Sequence, residues 1–229
     1  MRRVMAAGVL TLIFCLGACS DKFGHQFKIP NASQLTLGKT TLPDVNAIVG
    51  ERSSTQRTWT IIDTRSKPDE TRTDFDGGTA PGDYIVRFYN FGELFPRISG
   101  GGIEAKSAAL TFFNERLVGY SFVDSLNNNS KHFSESQVQE IIKKSMSKSD
   151  VKILLGGPDG EAVYPAILNP DESTFYYGYQ SYDKDRHETT TKSLVVLFDR
   201  SGHTKDARMT NETVPNGYLT MPTYNPARK

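Results

Sequence analysis

The chain is poor in cysteine, holding two in 229 residues, Cys15 and Cys19. Both lie at the extreme N-terminus, so neither a disulfide framework nor a cysteine zinc site can hold the body together. Beyond the N-terminal segment no apolar stretch is long enough to cross a bilayer. Charge excess is also missing. With 27 basic and 26 acidic residues, the chain lacks the basic surplus that a nucleic-acid binder gathers on one face, so no nucleic-acid partner is expected. Its four histidines, His25, His132, His187 and His203, are dispersed, and none has a second ligand at a metal-binding helical spacing. No Gly-x-Ser-x-Gly occurs. Ser99-Gly100-Gly101-Gly102 lacks the Lys-Ser/Thr ending of a phosphate loop. Arg72 stands at the first-ligand position of the calcium-like run Arg72 to Gly77. These absences predict a protein that is not an enzyme, with no metal, no cofactor and no small-molecule substrate.

What is present begins at the N-terminus. Arg2 and Arg3 precede an uncharged run from Val4 to Leu16. Thirteen helical residues span about 20 Å, less than the roughly 30 Å hydrocarbon core, so the run reads as the apolar region of a signal peptide. It closes on Leu16-Gly17-Ala18-Cys19, which resembles the lipobox of bacterial lipoproteins. The resemblance implies cleavage between Ala18 and Cys19, with lipid (palmitate among the acyl chains) attached to Cys19. Two or more acyl chains anchor stably. The mature chain would keep Cys19 as its one cysteine. Removing Arg2 and Arg3 leaves 25 basic residues against 26 acidic. Ser20 stands where an aspartate would resemble an inner-membrane retention signal, which points to the outer membrane, at its periplasmic face.

The whole chain divides into segments. Residues 1–18 read as signal peptide and 19–34 as a polar tether. Residues 35–125 and 132–210 read as two α/β repeats, and 211–229 as a proline-rich tail, either disordered or an extended arm. In the first repeat Thr41 and Asp44 have helix-capping spacing, Pro43 fits the first turn, Val45, Ile48 and Val49 share a face, and Gly50 stops the helix. Strands are expected at 58–62, 84–89, 108–113 and 117–122, the last two flanking an Asn114-Glu115-Arg116 turn. Loops are expected at 65–82 and 92–104. In the second repeat Ser134 and Gln137 cap a helix with Val138, Ile141 and Ile142 on one face. Ser147 to Gly156 then matches Thr41 to Gly50 at a constant offset of 106. Strands at 175–179, 194–199 and 204–209 follow, with a turn at Ser201-Gly202. The expectation is an α+β fold made of two tandem repeats of short helices packed on an antiparallel β-sheet.

The motif series Gly38, Thr40 or Thr41, Val45 and Gly50, repeated as Ser147, Val151 and Leu155-Gly156-Gly157-Pro158, with aromatics at Tyr176 and Tyr177 and a closing Val196-Leu197-Phe198-Asp199 with Gly202, resembles the SmpA/OmlA (BamE-like) bacterial lipoprotein family. As a tandem duplication it is also similar to the fold of the β-lactamase inhibitor protein. The resemblance covers roughly residues 35 to 210. It departs from the family in having two copies, in Glu51-Arg52 where the family has proline, and in its long loops. It implies a non-catalytic, membrane-anchored lipoprotein that binds envelope proteins in outer-membrane assembly or maintenance. The inhibitor likeness implies an alternative, inhibition of a periplasmic or secreted enzyme through the loop at 92–104. An envelope hydrolase ranks last, for want of a site.

Partner binding would need anchors. Aromatics are dense in two expected strands, and side chains alternate between faces of a sheet. Tyr84, Phe88, Tyr89, Tyr177 and Tyr179 are therefore the candidate anchors on an open sheet face, since exposed tyrosines give large contact area at low entropy cost. The competing reading is that they pack against each other across strands.

Overall fold

The computed structural model describes residues 21–50, 55–61, 80–95, 102–124, 133–183, 185–186 and 188–215. The signal peptide, Ala18 and Cys19, most of the loop at 65–82, residues 96–101 of the second loop, His132, His187 and the tail from 216 lie outside them.

Among the described residues nine strands form one antiparallel sheet: β1 (Asp21–Gly24), β2 (Thr55–Ile61), β3 (Gly82–Phe95), β4 (Gly102–Phe113), β5 (Arg116–Asp124), β6 (Gly160–Val163), β7 (Ser173–Asp183), β8 (Glu188–Phe198) and β9 (Thr204–Pro215). The spatial order is β1-β3-β4-β5-β6-β7-β8-β9, and β2 pairs with β3 beside β1. Among the described residues three α-helices accompany it: α1 (Leu42–Val49), α2 (Glu135–Lys143) and α3 (Lys148–Leu155).

This corrects the expected α+β, BamE/BLIP-like architecture of tandem helix-bearing repeats. The molecule is chiefly a single antiparallel sheet. Each helix has only eight or nine residues, whereas β3, β4, β7, β8 and β9 run for 11 to 14. Four-residue β6 makes the sheet continuous, pairing Gly119–Ser121 of β5 on one side and Tyr176–Ser173 of β7 on the other. Helices this short are marginal alone, so the sheet's hydrogen-bond ladder and side-chain packing must carry them.

The local signals read from the sequence are present. Thr41, Ser134 and Ser147 each close a reciprocal capping box, with Asp44, Gln137 and Asp150 respectively. Gly50 and Gly156 end α1 and α3 at φ 109° and 82°, a region costly for residues with a Cβ. The β4–β5 turn is Asn114-Glu115, both at positive φ (46° and 64°), the backbone of a two-residue hairpin that follows the sheet's twist.

The 106-residue offset survives as a docking device for α1 and α3. Leu117 N–H donates to the Thr40 carbonyl (2.8 Å) and Leu42 N–H to the Glu115 carbonyl (3.2 Å). In the second half Thr204 N–H donates to the Met146 carbonyl (2.9 Å) and Lys148 N–H to the Gly202 carbonyl (3.0 Å). Each helix start is thus tied to a hairpin turn, which satisfies an amide the helix itself leaves open. The far ends match as well: Tyr89 donates its hydroxyl to the Gly50 carbonyl (3.3 Å), and Tyr177 to that of Gly156 (3.2 Å).

Two clusters form the core. In one, Val45 and Val49 of α1 pack on Tyr89, Ala108, Leu110, Phe112, Leu117, Tyr120 and Phe122, with Phe27 and Leu35. The other joins Val138 and Ile141 of α2 and Val151 and Leu155 of α3 to Phe175, Tyr177, Leu194, Val196 and Phe198. The segment expected to be a tether contributes from Asp21 onward. It pairs with β3 as β1, and Phe27 is 6% exposed. Two further differences concern length. β3 and β4 extend into the loop expected at 92–104, and β9 runs to Pro215, inside the expected tail.

Candidate functional site

The five aromatic candidates do not form one surface. Tyr84 is 0% exposed on the sheet face away from α1, its ring tilted against that of Phe113 at 4.9 Å between centroids, with its hydroxyl bonded to Ala80 N–H and C=O. Tyr89 (1%) and Tyr177 (0%) lie on the helix-bearing face, inside the two core clusters. As anchors for a partner these three are corrected. Both faces of β3 are closed at this point, so alternation along the strand exposes neither Tyr84 nor Tyr89. Burial, with Asp159 and Glu161 nearby, also holds the Tyr177 hydroxyl proton far above its ordinary pKa. That keeps it a neutral donor to the helix end. Phe88 and Tyr179 remain half-buried, but on opposite faces by register. A cation lies over each ring, Arg57 5.8 Å from the Phe88 centroid and Lys192 5.7 Å from that of Tyr179.

Among the described residues the corner between α2 and α3 forms a concave surface. Ser145, at φ 45°, turns the chain after α2, and its hydroxyl donates to the Thr204 carbonyl (3.0 Å). Ser147 then starts α3. Val151, Leu154 and Leu155 face the sheet, and a helix of 3.6 residues per turn leaves Ile153 on the opposite side. Ile153 is 84% exposed. Beside it opens a cavity of about 520 Å³ lined by Met146, Ser147, Asp150, Ile153, Leu154 and His203 among others. The signal for Ile153 in the sequence is an isoleucine off the apolar stripe of its helix.

The polar groups at this corner are occupied by the fold. The Ser147 hydroxyl donates to Asp150 (2.6 Å), and this bond holds the carboxyl below its ordinary range. In the adjoining β8–β9 turn the Ser201 hydroxyl donates to Asp199 (2.6 Å) and meets His203 Nδ1 at 3.0 Å. With the serine proton directed at Asp199, the imidazole's Nδ1–H must be the donor to the serine oxygen. That direction is opposite to the one in which a histidine base activates a serine. Asp199 also accepts from His203 N–H (3.0 Å) and is held below its usual pKa, chiefly by Ser201. The trio clasps a turn. Among the described residues no three His, Cys, Asp or Glu converge as metal ligands, and no helix is long and apolar enough to cross a membrane.

An apolar knob beside a cavity with a polar rim suits contact with another macromolecule. The cavity is large enough for one bulky side chain, and Ile153 offers a reciprocal insertion. No family model, no curated protein and no solved structure matches this chain.

Proposed function

We propose that this protein is a non-catalytic lipoprotein, held on the outer membrane by lipid on Cys19, that binds other envelope proteins in membrane assembly or maintenance. The anchor rests on the sequence, namely Arg2-Arg3, the Val4–Leu16 run and Leu16-Gly17-Ala18-Cys19. The single structural observation that carries the binding role is Ile153. It is 84% exposed on a docked helix, next to the corner cavity. Full burial of an aliphatic side chain of this size is worth about 1.5–3 kcal/mol, which is what a partner that covered Ile153 would gain.

The test is purification of the lipidated protein from its own membranes in mild detergent after cross-linking, alongside Ile153→Asp. The reading expects stoichiometric envelope proteins with the parent chain and their loss with I153D, while both variants melt alike. Identical partners with both, or recovery of one soluble enzyme, would remove it.

A further inference from the structure

Very little chain separates the proposed lipid from the folded body. β1 begins at Asp21, two positions after Cys19, and two residues of extended chain span about 7 Å at most. β1 also enters at one end of the sheet. Asp21 pairs with Leu94 near the end of β3, and Leu94 pairs with Ile103 at the start of β4. Opposed Cα atoms in such pairs lie about 4.5–5.5 Å apart. Leu94 is therefore within about 13 Å of Cys19, and Ile103 within about 18 Å. The other end of the same strands is remote. From Ile103 to Phe113, β4 rises about 33 Å, and the Asn114-Glu115 turn lies beyond it.

The residues at the near end suit a lipid surface. Leu94, Phe95 and Ile103 are placed there. The chain that leaves β1 along its flank instead passes through Gly24, His25, Gln26 and Lys28, all exposed. An anchored body gains by turning its apolar strand ends to the interface and keeping that polar flank in water. The depth is limited by charge. Asp21, Lys22, Glu93 and Glu104 occupy the same end, and charged residues are costly in hydrocarbon, so contact stops at the headgroup layer. One lysine against three carboxylates is no basic cluster for anionic lipid. The fitting partner is a zwitterionic surface.

We infer that, with lipid on Cys19 as proposed, the sheet end at Asp21, Leu94-Phe95 and Gly102-Ile103 rests on a zwitterionic lipid surface at headgroup level. β1, β3 and β4 then stand away from the membrane, with the Asn114-Glu115 turn outermost. Neighbouring strands rotate by about 20–25°, so this orientation belongs to the first half of the sheet and is lost step by step toward β9.

The test uses the full lipidated chain in vesicles of phosphatidylcholine and phosphatidylethanolamine that contain a nitroxide-headgroup lipid. With the Cys19 sulfur carrying lipid, an introduced cysteine is the one thiol open to a fluorophore. A label on Glu104→Cys should be quenched several-fold more than one on Arg116→Cys. Adding Phe95→Asp should cut the quenching at 104 by about half, because a carboxylate is held off the apolar interface. Equal quenching at 104 and 116 on protein that floats with the vesicles would overturn the orientation and leave the anchor standing. Unchanged quenching with Phe95→Asp would overturn the lipid contact. Protein that fails to float with the vesicles would overturn the anchor and the contact together.

Discussion

Tyr177 separates the two roles an aromatic strand can play. As a partner anchor its truncation would spare the fold and abolish binding, whereas as a core residue it would do the reverse. The side chain is 0% exposed and its hydroxyl caps the end of α3 through Gly156. Truncating a large buried aromatic costs about 3–5 kcal/mol, including the cavity left behind. Near the melting point of a chain this size each kcal/mol moves Tm by about 2–4 °C. Tyr177→Ala should therefore lower Tm by roughly 10 °C. Tyr177→Phe keeps the ring and removes one hydrogen bond, worth about 0.5–1.5 kcal/mol, so a loss of about 2–4 °C is expected. The assay is thermal unfolding followed by near-ultraviolet circular dichroism. Because Tyr89 makes the same bond to Gly50 in the other cluster, Tyr89→Phe should cost a similar amount, and the two should add as independent sites do. An unchanged Tm for Tyr177→Ala would refute the core assignment and return Tyr177 to the surface.

Three further outcomes follow from the geometry. Glu115→Gly should raise stability by up to about 1 kcal/mol, because a residue with a Cβ there sits at φ 64° in a turn that favours Asn-Gly; denaturant titration checks the sign. Ser147→Ala should destabilise by about 1 kcal/mol through loss of the α3 cap, again by denaturant midpoint. Asp44, Asp150 and Asp199 all have folded pKa values below the ordinary 3.8, each chiefly through a hydroxyl donor, Thr41, Ser147 and Ser201. The sign is that of depressed carboxylates: the stabilisation is present above 3.8 and lost as pH falls through the lower folded values. Tm should drop on acidification below about pH 4, and Asp150→Asn should flatten part of that fall.

The short-range features were legible because their chemistry is local. Thr41-x-x-Asp44, Ser134-x-x-Gln137 and Ser147-x-x-Asp150 each name a cap within four residues. Asn114 and Gly202 mark hairpin turns. The architecture was not legible, because its deciding element is β6. Gly160 to Val163 is four residues long, carries no alternation strong enough to read, and acquires its meaning only from pairing on both sides. Without it, three well-capped helices outweigh the strands and suggest repeats of helix on sheet. The aromatic strands misled for a related reason. Alternation in Tyr84 to Tyr89 shows that residues face opposite ways, but not that both faces are covered. Ile153 was readable as an apolar residue on the polar side of α3, and the cavity beside it was not, since Met146, Leu154 and His203 meet there only through the docking of α3 on the β8–β9 turn.

Whether the protein is held by lipid on Cys19, with its folded body beginning just after that anchor, is read most directly from the mass of the protein extracted from its native membranes. The expected mass is that of a chain beginning at Cys19, heavier than its sequence by the acyl groups on that residue, and Cys19→Ser should release the protein to the soluble fraction. A chain that keeps residues 1–18, or one that starts elsewhere and carries an unmodified cysteine, would contradict it.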